Sequence, residues 1–338
     1  MRILILGGTQ FVGRHVVETL IYQGHEVTLV NRGKTAPNLF QSARRIVCDR
    51  GQAEFNSALK NETGFDAVVD FCAYYPADVE RLLPILPGLT GHYIQISSVS
   101  AYSAIESESI SFIRDDDPLL ECTPEQALDK TDLTYGRRKA KCDRLVLQQS
   151  RTGVPTTVFR PSLIYGKYDP TDRFAYWVWR VFSKKPFILP DDGLCITRRT
   201  YAPDFAATII KAIACKSAFH QSYNFAEVEA LNLRLTLKTI GDQLGIDPFE
   251  FAIPVSSKQL ADLKVKSWSD LPMWIPQTNL MMDVFKVRRD LEPTETKARD
   301  AIRTASEEFL SLGRPPIAGL SSQAEQEIID HIRAKAGK

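Results

Sequence analysis

Two side chains near the middle of the chain have the types and the spacing for acid–base chemistry. Tyr135 and Lys139 are four residues apart in the stretch YGRRK, so on a helix they lie on one face, about one turn apart. A free phenol is a poor base at neutral pH, and a neighbouring ammonium favours its phenolate form. Tyr135 is therefore a candidate general acid or base toward a substrate hydroxyl or carbonyl.

A second pattern, at the start of the chain, is typical of a phosphate-binding turn. The apolar run Ile3–Leu6 stops at Gly7 and Gly8, and Gly13 follows where a helical pattern begins. A strand that passes through glycines into a helix presents backbone N–H groups at a helix N-terminus, and that geometry suits a pyrophosphate. The alternative interpretation is an ordinary connection between a strand and a helix.

Strand and helix patterns alternate through the first half of the chain. Short apolar runs predict strands at 2–6, 26–30, 44–48, 67–71, 92–96 and 156–159. Helical patterns fall between most of them, at 12–22, 52–60, 77–86 and 136–151. This alternation predicts an α/β fold, in which a doubly wound parallel sheet of the Rossmann type has right-handed crossovers.

The pattern changes after about residue 165, where aromatic residues and prolines become frequent. We expect residues 1–165 to form a dinucleotide-binding Rossmann domain with a return strand near 156–160. We expect residues 166–338 to form mainly a smaller, mixed C-terminal lobe that binds substrate and ends in helices. Some segments of this second part should return to the first domain.

The composition limits the partners and the compartment. The 42 basic and 41 acidic residues leave a formal charge of +1, which argues against a nucleic-acid surface driven by bulk charge. The sequence contains no run of 18 apolar residues, so we expect no membrane span. The six cysteines and five histidines are scattered, so we expect no metal site, and single cysteines fit a reducing cytoplasm best.

Three short motifs together identify a family resemblance. The stretches GGTQFVG, SSVSAY and YGRRK closely resemble the extended short-chain dehydrogenase/reductases, the NAD-dependent epimerase/dehydratase family, and the glutamine Gln10 resembles its atypical branch. The likeness covers roughly residues 1–245. It implies that Ser98 polarises the reacting oxygen, that Tyr135 transfers the proton, and that Lys139 also binds the nicotinamide ribose.

The residues after the second predicted strand bear on the choice between NAD and NADP. Asn31 and Arg32 stand where an acid would bind the ribose 2′-hydroxyl, and Lys34 follows. A 2′-phosphate prefers a guanidinium with an ammonium close by, so NADP(H) is favoured and NAD(H) remains possible. Alternatively, Arg32 only stacks over the adenine.

The family resemblance implies further contacts with the cofactor. These residues lie in the first turn, after the third strand, after the fourth strand and after the sixth strand: Gly7, Gly8, Thr9, Gln10, Phe11, Val12 and Gly13; Asp49 and Arg50; Ala73 and Tyr74; Pro161 and Ser162.

The predicted substrate contacts are less firmly patterned. The candidates are Ser98, Tyr102, Tyr165, Arg173, Tyr176 and Arg199. The aromatic residues around 172–182 also fit a packed aromatic stripe, and the arginines near 199 also fit surface salt bridges.

The sequence therefore predicts an NAD(P)-dependent enzyme that moves a hydride at a carbinol or carbonyl carbon. The resemblance implies epimerisation or reduction of a nucleotide sugar or another small metabolite. The alternative is a cofactor-binding regulatory or RNA-associated protein on the same fold. We further expect no nucleic-acid or membrane partner and a cytoplasmic location. A homodimer like those of the family would use helices 77–86 and 136–151.

Overall fold

The described residues form a central parallel sheet of seven strands. The computed structural model describes residues 1–106, 112–151 and 153–336. Its strands are β1 (Arg2–Leu6), β2 (Glu26–Asn31), β3 (Arg44–Val47), β4 (Ala67–Asp70), β5 (Tyr93–Ile96), β6 (Thr156–Pro161), β7 (Leu163–Tyr165), β8 (Phe187–Pro190), β9 (Ile196–Thr197), β10 (Arg199–Tyr201), β11 (Gln221–Phe225), β12 (Leu231–Asn232) and β13 (Ala252–Val255). The sheet order is β11-β6-β5-β4-β1-β2-β3, with parallel neighbours throughout.

Helices cover both faces of this sheet. They are α1 (Phe11–Tyr22), α2 (Glu54–Leu59), α3 (Pro76–Leu82), α4 (Leu86–Leu89), α5 (Pro124–Leu128), α6 (Tyr135–Ser150), α7 (Arg173–Ser183), α8 (Ala202–Ala214), α9 (Leu233–Leu244), α10 (Ser257–Asp262), α11 (Phe285–Leu291), α12 (Ala298–Leu310) and α13 (Ser322–Ala336). The apolar residues of α1, α8 and α11 pack on one face, and those of α2, α3 and α6 pack on the other. This arrangement confirms the predicted doubly wound fold.

The strand order reverses at β1, which lies between β2 and β4. The residues of β1 are almost fully buried from Ile3 to Leu6, as expected for a strand covered on both faces. In open α/β sheets, ligands bind outside the carboxyl ends of the strands at such a reversal. The loops after β1, β4 and β5 are therefore the part of the fold in which to look for a site.

Two differences from the sequence prediction concern the main sheet and the helices on it. The strand β11 is absent from the predicted set because Gln221, Ser222 and Asn224 interrupt its apolar pattern; Asn224 is buried, and its Nδ2 donates to the Ile113 carbonyl at 3.1 Å. The helix predicted over 77–86 is divided into α3 and α4. Pro84 and Pro87 fall at this break, where a proline lacks the N–H that a continuous helix needs.

A second hydrophobic cluster lies in the C-terminal half. It joins α7, β8, α9, α12 and α13, with Trp177 and Phe187 among its most buried side chains. Meanwhile α8, β11 and α11 pack on the main sheet. The division of the chain near residue 165 remains a prediction. Among the described residues, none of the helices has the length and hydropathy needed to span a bilayer.

Candidate active site

A large cleft opens at the carboxyl ends of β1, β4 and β5. Its volume is about 1650 Å³, which exceeds the range of about 300–1,000 Å³ typical of sites for one small ligand. Its walls include the glycine turn after β1, the ends of β2 and β3, the loop after β5, and the first turn of α6. The cleft therefore has room for a dinucleotide together with a second small molecule.

The glycine turn is shaped so that side chains would block it. Gly7 and Gly8 have φ angles of +95° and +82°, and a Cβ on Gly7 would lie 2.6 Å from the Cys72 sulfur. A Cβ on Gly13 would lie 3.0 Å from the Gly8 Cα. These close approaches bring the backbone to the cleft and set α1 directly behind the turn, which is the arrangement that a pyrophosphate requires.

The residues predicted between these glycines also line the cleft, namely Thr9, Gln10, Phe11 and Val12. Gln10 is the extended residue that precedes α1, its side chain is exposed, and it makes no capping hydrogen bond. The side-chain amide of Gln10 is thus available to a ligand at the N-terminus of α1. Its contact with a phosphate or ribose remains a prediction.

Asn31 organises the end of β2, and two cations follow it. The Asn31 Nδ2 donates to the Gly7 carbonyl at 3.3 Å, and its Oδ1 accepts from the Gly33 N–H at 3.0 Å. Arg32 and Lys34 are exposed and line the cleft. In the described part of the chain neither cation pairs with a carboxylate. The end of β2 therefore offers two uncompensated positive charges beside the glycine turn.

Arg50 is held by carboxylates behind the cleft wall. Its Nη1 donates to both carboxylate oxygens of Asp70, at 2.7 and 2.8 Å. Asp70 ends β4 and also accepts from the Tyr93 hydroxyl at 2.8 Å. The Asp49 carboxylate accepts from the Gly51 N–H at 3.0 Å. Asp49 and Arg50 both line the cleft, but most of the Arg50 guanidinium is already engaged.

Ser98, Tyr135 and Lys139 line the same cleft. The Lys139 side chain is 2% exposed, and its Nζ donates to the carbonyl oxygens of Ile96 at 2.6 Å and Ala73 at 2.8 Å. These two hydrogen bonds use two of the three N–H donors of the ammonium. Lys139 forms no ion pair with a carboxylate among the described residues. One charged donor thus remains for a ligand in the cleft.

Gly136 sets the distance between α6 and the loop that carries Ser98. A Cβ at this position would lie 2.1 Å from the Ser100 carbonyl oxygen. The Ser98 Oγ accepts from the Ser100 N–H at 3.1 Å, which fixes the same turn. Sequence reasoning did not single out Gly136; the signal available was its place directly after Tyr135.

The predicted residues after β4 and β6 also meet at the cleft wall. Ala73 is buried and contributes only its carbonyl to Lys139, whereas Tyr74 lines the cleft and is about half exposed. Pro161 and Ser162 line the cleft, and the Ser162 hydroxyl donates to the Arg198 carbonyl at 2.6 Å. Burial, reinforced by the Asp70 carboxylate, raises the pKa of Cys72 to about 11, so Cys72 is a neutral thiol here.

Four of the predicted substrate contacts are not among the residues that line the cleft. Tyr102 donates to the Asn224 amide oxygen at 2.7 Å, and Tyr165 donates to the Glu227 carboxylate. Tyr176 donates to Glu325 at 3.2 Å, while Arg199 donates to the Thr236 hydroxyl at 2.8 Å. All four are buried, so they bind protein groups. Ser98 and Arg173 are the members of the predicted set that line the cleft.

Other cleft residues come from segments that the sequence prediction did not place there. Among them are Trp268, Met273 and the run Ile317, Ala318 and Gly319. The tryptophan-rich segment 268–274 was visible in the sequence, but nothing in its local pattern predicted that it would face the cleft. Within the described ranges, no group of three histidine, cysteine, aspartate or glutamate residues could hold a metal ion.

The parallel sheet, the glycine turn and the cleft define the class of dinucleotide-binding α/β proteins. Residues 3–85 and 79–226 match the NAD dependent epimerase/dehydratase family. Together these two ranges are more than half of the chain. The chain belongs to this family. The family resemblance read from the sequence is thereby confirmed.

Individual relatives are more distant. The chain is 28% identical over 240 residues to the chloroplast stem-loop binding protein of 41 kDa b from Arabidopsis thaliana, covering 67% of this chain and 58% of that protein. It is 24% identical to 4-hydroxy-2-methyl-3-oxo-4-farnesyl-3,4-dihydroquinoline-1-oxide ketoreductase from Stigmatella aurantiaca, covering 88% of this chain and 90% of that protein.

Among solved structures, the fold is similar to UDP-glucuronic acid 4-epimerase from Bacillus cereus in complex with NAD. The TM-score is 0.71 and the identity is 16%, over 93% of this chain and all of that one. This likeness supports the shared fold.

Proposed function

We propose that the protein catalyses hydride transfer at a carbinol or carbonyl carbon of a small metabolite, with a nicotinamide dinucleotide held on the glycine turn. One observation carries the proposal. The buried Lys139 ammonium, with an unused donor, lies in the wall of the same cleft as Tyr135, Ser98 and the turn around Gly8. A buried charge without a counter-ion is costly, and a ligand site accounts for it.

The residues take separate roles in this proposal. When bound, the dinucleotide supplies or accepts the hydride. Tyr135 gives or takes the proton at the reacting substrate oxygen, Ser98 donates a hydrogen bond to that oxygen, and the Lys139 ammonium favours the phenolate form of Tyr135. The remaining Lys139 donor binds the ribose hydroxyls.

We infer that NADP(H) is preferred over NAD(H). Arg32 and Lys34 carry no counter-ion among the described residues and line the cleft at the end of β2. A 2′-phosphate would supply the missing negative charge. The similar Bacillus cereus structure contains NAD, so the two cofactors must be compared on this protein directly.

Reduction and epimerisation both use the same three residues. The Stigmatella aurantiaca relative is a ketoreductase by its name and matches nearly the whole chain, which favours reduction. A nucleotide sugar is the alternative substrate class. A reductase consumes reduced cofactor in step with product, whereas an epimerase returns the cofactor to its starting redox state. Following the absorbance of reduced nicotinamide alongside product formation therefore separates the two reactions.

The decisive experiment starts from metabolites that co-purify with the protein, identified by mass spectrometry and then tested as substrates with each cofactor. Tyr135→Phe removes one phenolic oxygen and leaves the ring. Cofactor binding should persist while turnover falls by roughly 10²–10⁴. Lys139→Met should weaken cofactor binding as well. A Tyr135→Phe variant with wild-type turnover would exclude Tyr135 as the proton-transfer group.

A second candidate function is RNA association, which the name of the Arabidopsis thaliana relative favours. The overall charge of +1 gives it no electrostatic support. A titration of labelled stem-loop RNA at low and high salt would test it. RNA binding that is strong and salt-dependent, together with no cofactor turnover on any candidate metabolite, would favour this function over hydride transfer.

A further inference from the structure

One wall of the cleft is built by helix α7 and two segments of chain that α7 holds in place. The segments are 268–273 and 314–320. Three contacts attach them to α7: the Trp177 indole donates to the Pro272 carbonyl at 2.7 Å, Arg180 donates to the Leu320 carbonyl at 2.6 Å, and the Tyr176 ring packs against Gly319. Asp172, directly before α7, accepts from the Ile317 N–H at 3.1 Å.

Asp172 strengthens this attachment with an ion pair. Its carboxylate is almost fully buried and accepts from Arg314, with an Oδ2 to Nη1 distance of 2.5 Å. Gly319 has a φ of +74°, and a Cβ there would lie 2.4 Å from the Tyr176 ring. The segment 314–320 is therefore seated closely on α7, and it presents Ile317 and Ala318 to the cleft.

Arg173, the first residue of α7, lies in this wall. Its guanidinium carbon lies 4.6 Å from the centre of the Trp268 indole ring, and both residues line the cleft. No carboxylate within the described residues forms an ion pair with Arg173. Asp169 lies near enough to interact with it electrostatically. The Asp169 Oδ1 accepts from the Thr171 N–H and hydroxyl, at 2.8 and 2.6 Å, whereas its buried Oδ2 has no hydrogen-bond partner among the described residues.

The Arg173 guanidinium carbon lies over the Trp268 indole ring. Among the described residues, none accepts a hydrogen bond from the N–H donors at the edge of this guanidinium. Those donors match two oxygens of one anionic group bidentately. Trp268, Met273 and Ile317 line the same cleft and offer apolar and aromatic surface, on which a ring can pack. The same wall therefore recognises two properties of a ligand, an anionic group and an adjoining ring.

We propose that Arg173 and Trp268 form a substrate-specificity site for a ring-bearing molecule with an anionic oxygen group. The inference rests on the proposed hydride-transfer function, because it names the substrate class of that cleft. The anionic group is either a diphosphate, as in UDP, or a carboxylate, as in benzoate. Arg173 here determines specificity and takes no part in proton transfer.

Titration calorimetry on the full chain, with and without saturating NADP⁺, tests this proposal. The probes are UDP, benzoate and the neutral ring compound uridine. The variants are Arg173→Gln, Arg173→Lys and Trp268→Leu. The matched control is Arg234→Gln, because Arg234 also stacks on an aromatic ring, Phe249 at 4.2 Å, but does not line the cleft.

We expect the wild type to bind UDP or benzoate more tightly than uridine, and the preferred anion identifies the group. Arg173→Gln should lower the affinity for that anion by about 10- to 100-fold. Arg173→Lys should keep part of the wild-type affinity. Trp268→Leu should lower the affinity for every ring-bearing probe, and Arg234→Gln should change the affinity for none of them.

Two results would overturn the inference: equal anion affinity in Arg173→Gln and wild type, or no binding of either anion at millimolar concentration. Failure of the proposed function is distinguishable. If neither NADP⁺ nor NAD⁺ binds, hydride transfer is excluded, while the anion titrations without cofactor still report on Arg173.

Discussion

Replacing Gly136 by alanine should disturb the candidate active site without touching any of its functional side chains. The new Cβ would lie 2.1 Å from the Ser100 carbonyl oxygen. Because an ordinary contact between carbon and oxygen is about 3.3 Å, α6 and the loop after β5 must separate by about 1 Å. Overpacking of this kind costs about 1–3 kcal/mol of unfolding free energy, partly offset by the better helix propensity of alanine.

The displacement should lower activity because both α6 and the loop after β5 carry residues of the candidate active site. Tyr135 and Lys139 lie on α6, and Ser98 lies on the loop that must move relative to it. The Lys139 bond to Ile96 is 2.6 Å, so a shift of about 1 Å takes it beyond hydrogen-bonding distance. Misplacement by about 1 Å can lower turnover by about 10², and we expect NADP⁺ to bind about tenfold more weakly.

Urea unfolding and cofactor titration of Gly136→Ala measure both effects. Gly88→Ala in α4 is the matched control, because a Cβ there meets no atom within 4 Å. That variant should keep its cofactor affinity and change stability by less than about 1 kcal/mol. If Gly136→Ala has the wild-type unfolding midpoint and cofactor affinity, the close approach of α6 to Ser100 has no structural role and our account of the site is wrong.

Other perturbations test separate parts of the reasoning. Arg32→Ala should weaken NADPH by about 1.5–3 kcal/mol and NADH much less in calorimetry; equal losses would reject a 2′-phosphate contact. Gly13→Val should abolish dinucleotide binding, since its Cβ would already lie 3.0 Å from the Gly8 Cα; a folded variant with normal binding would contradict the role of the turn. Burial lowers the pKa of His92 to about 4, so its stabilising effect is complete above about pH 6.5 and is lost as the pH falls toward 4. Between pH 7 and pH 5 the wild type should lose about 2 kcal/mol through this histidine, and the loss should be smaller in His92→Gln, as measured by urea unfolding.

The first half of the fold could be predicted because its signals are local. Strand β1, the glycines after it and the amphipathic α1 occupy about twenty consecutive residues, and each supports the interpretation of the next. Strand β11 could not be predicted in this way. Its polar residues are tolerated in a buried strand because residues far along the chain form hydrogen bonds with them. The Asn224 amide oxygen, for example, accepts a hydrogen bond from the Tyr102 hydroxyl, 122 residues away in sequence.

The same distinction separates the two halves of the candidate site. The residues expected around the cofactor line the cleft, because strand register fixes which residues end at the sheet edge. Ala73 is the exception: it is buried, and its carbonyl accepts a hydrogen bond from Lys139. Four expected substrate contacts do not line the cleft. Tyr165, for example, follows β6 as predicted, but its hydroxyl binds Glu227, 62 residues further along. Sequence spacing gives no information on such a pairing.

The two walls of the cleft also differ in what holds them in place. The wall on which we expect the cofactor is made of strand ends and one helix, fixed by backbone hydrogen bonds of a seven-stranded sheet. A second part of the wall is made of loops held to α7 by a few side-chain contacts, such as the pair between Asp172 and Arg314. Loops tolerate substitution more readily than strands do, so this wall can change without loss of the cofactor site. We therefore expect substrate choice to depend on this part of the wall, where our proposal places Arg173 and Trp268.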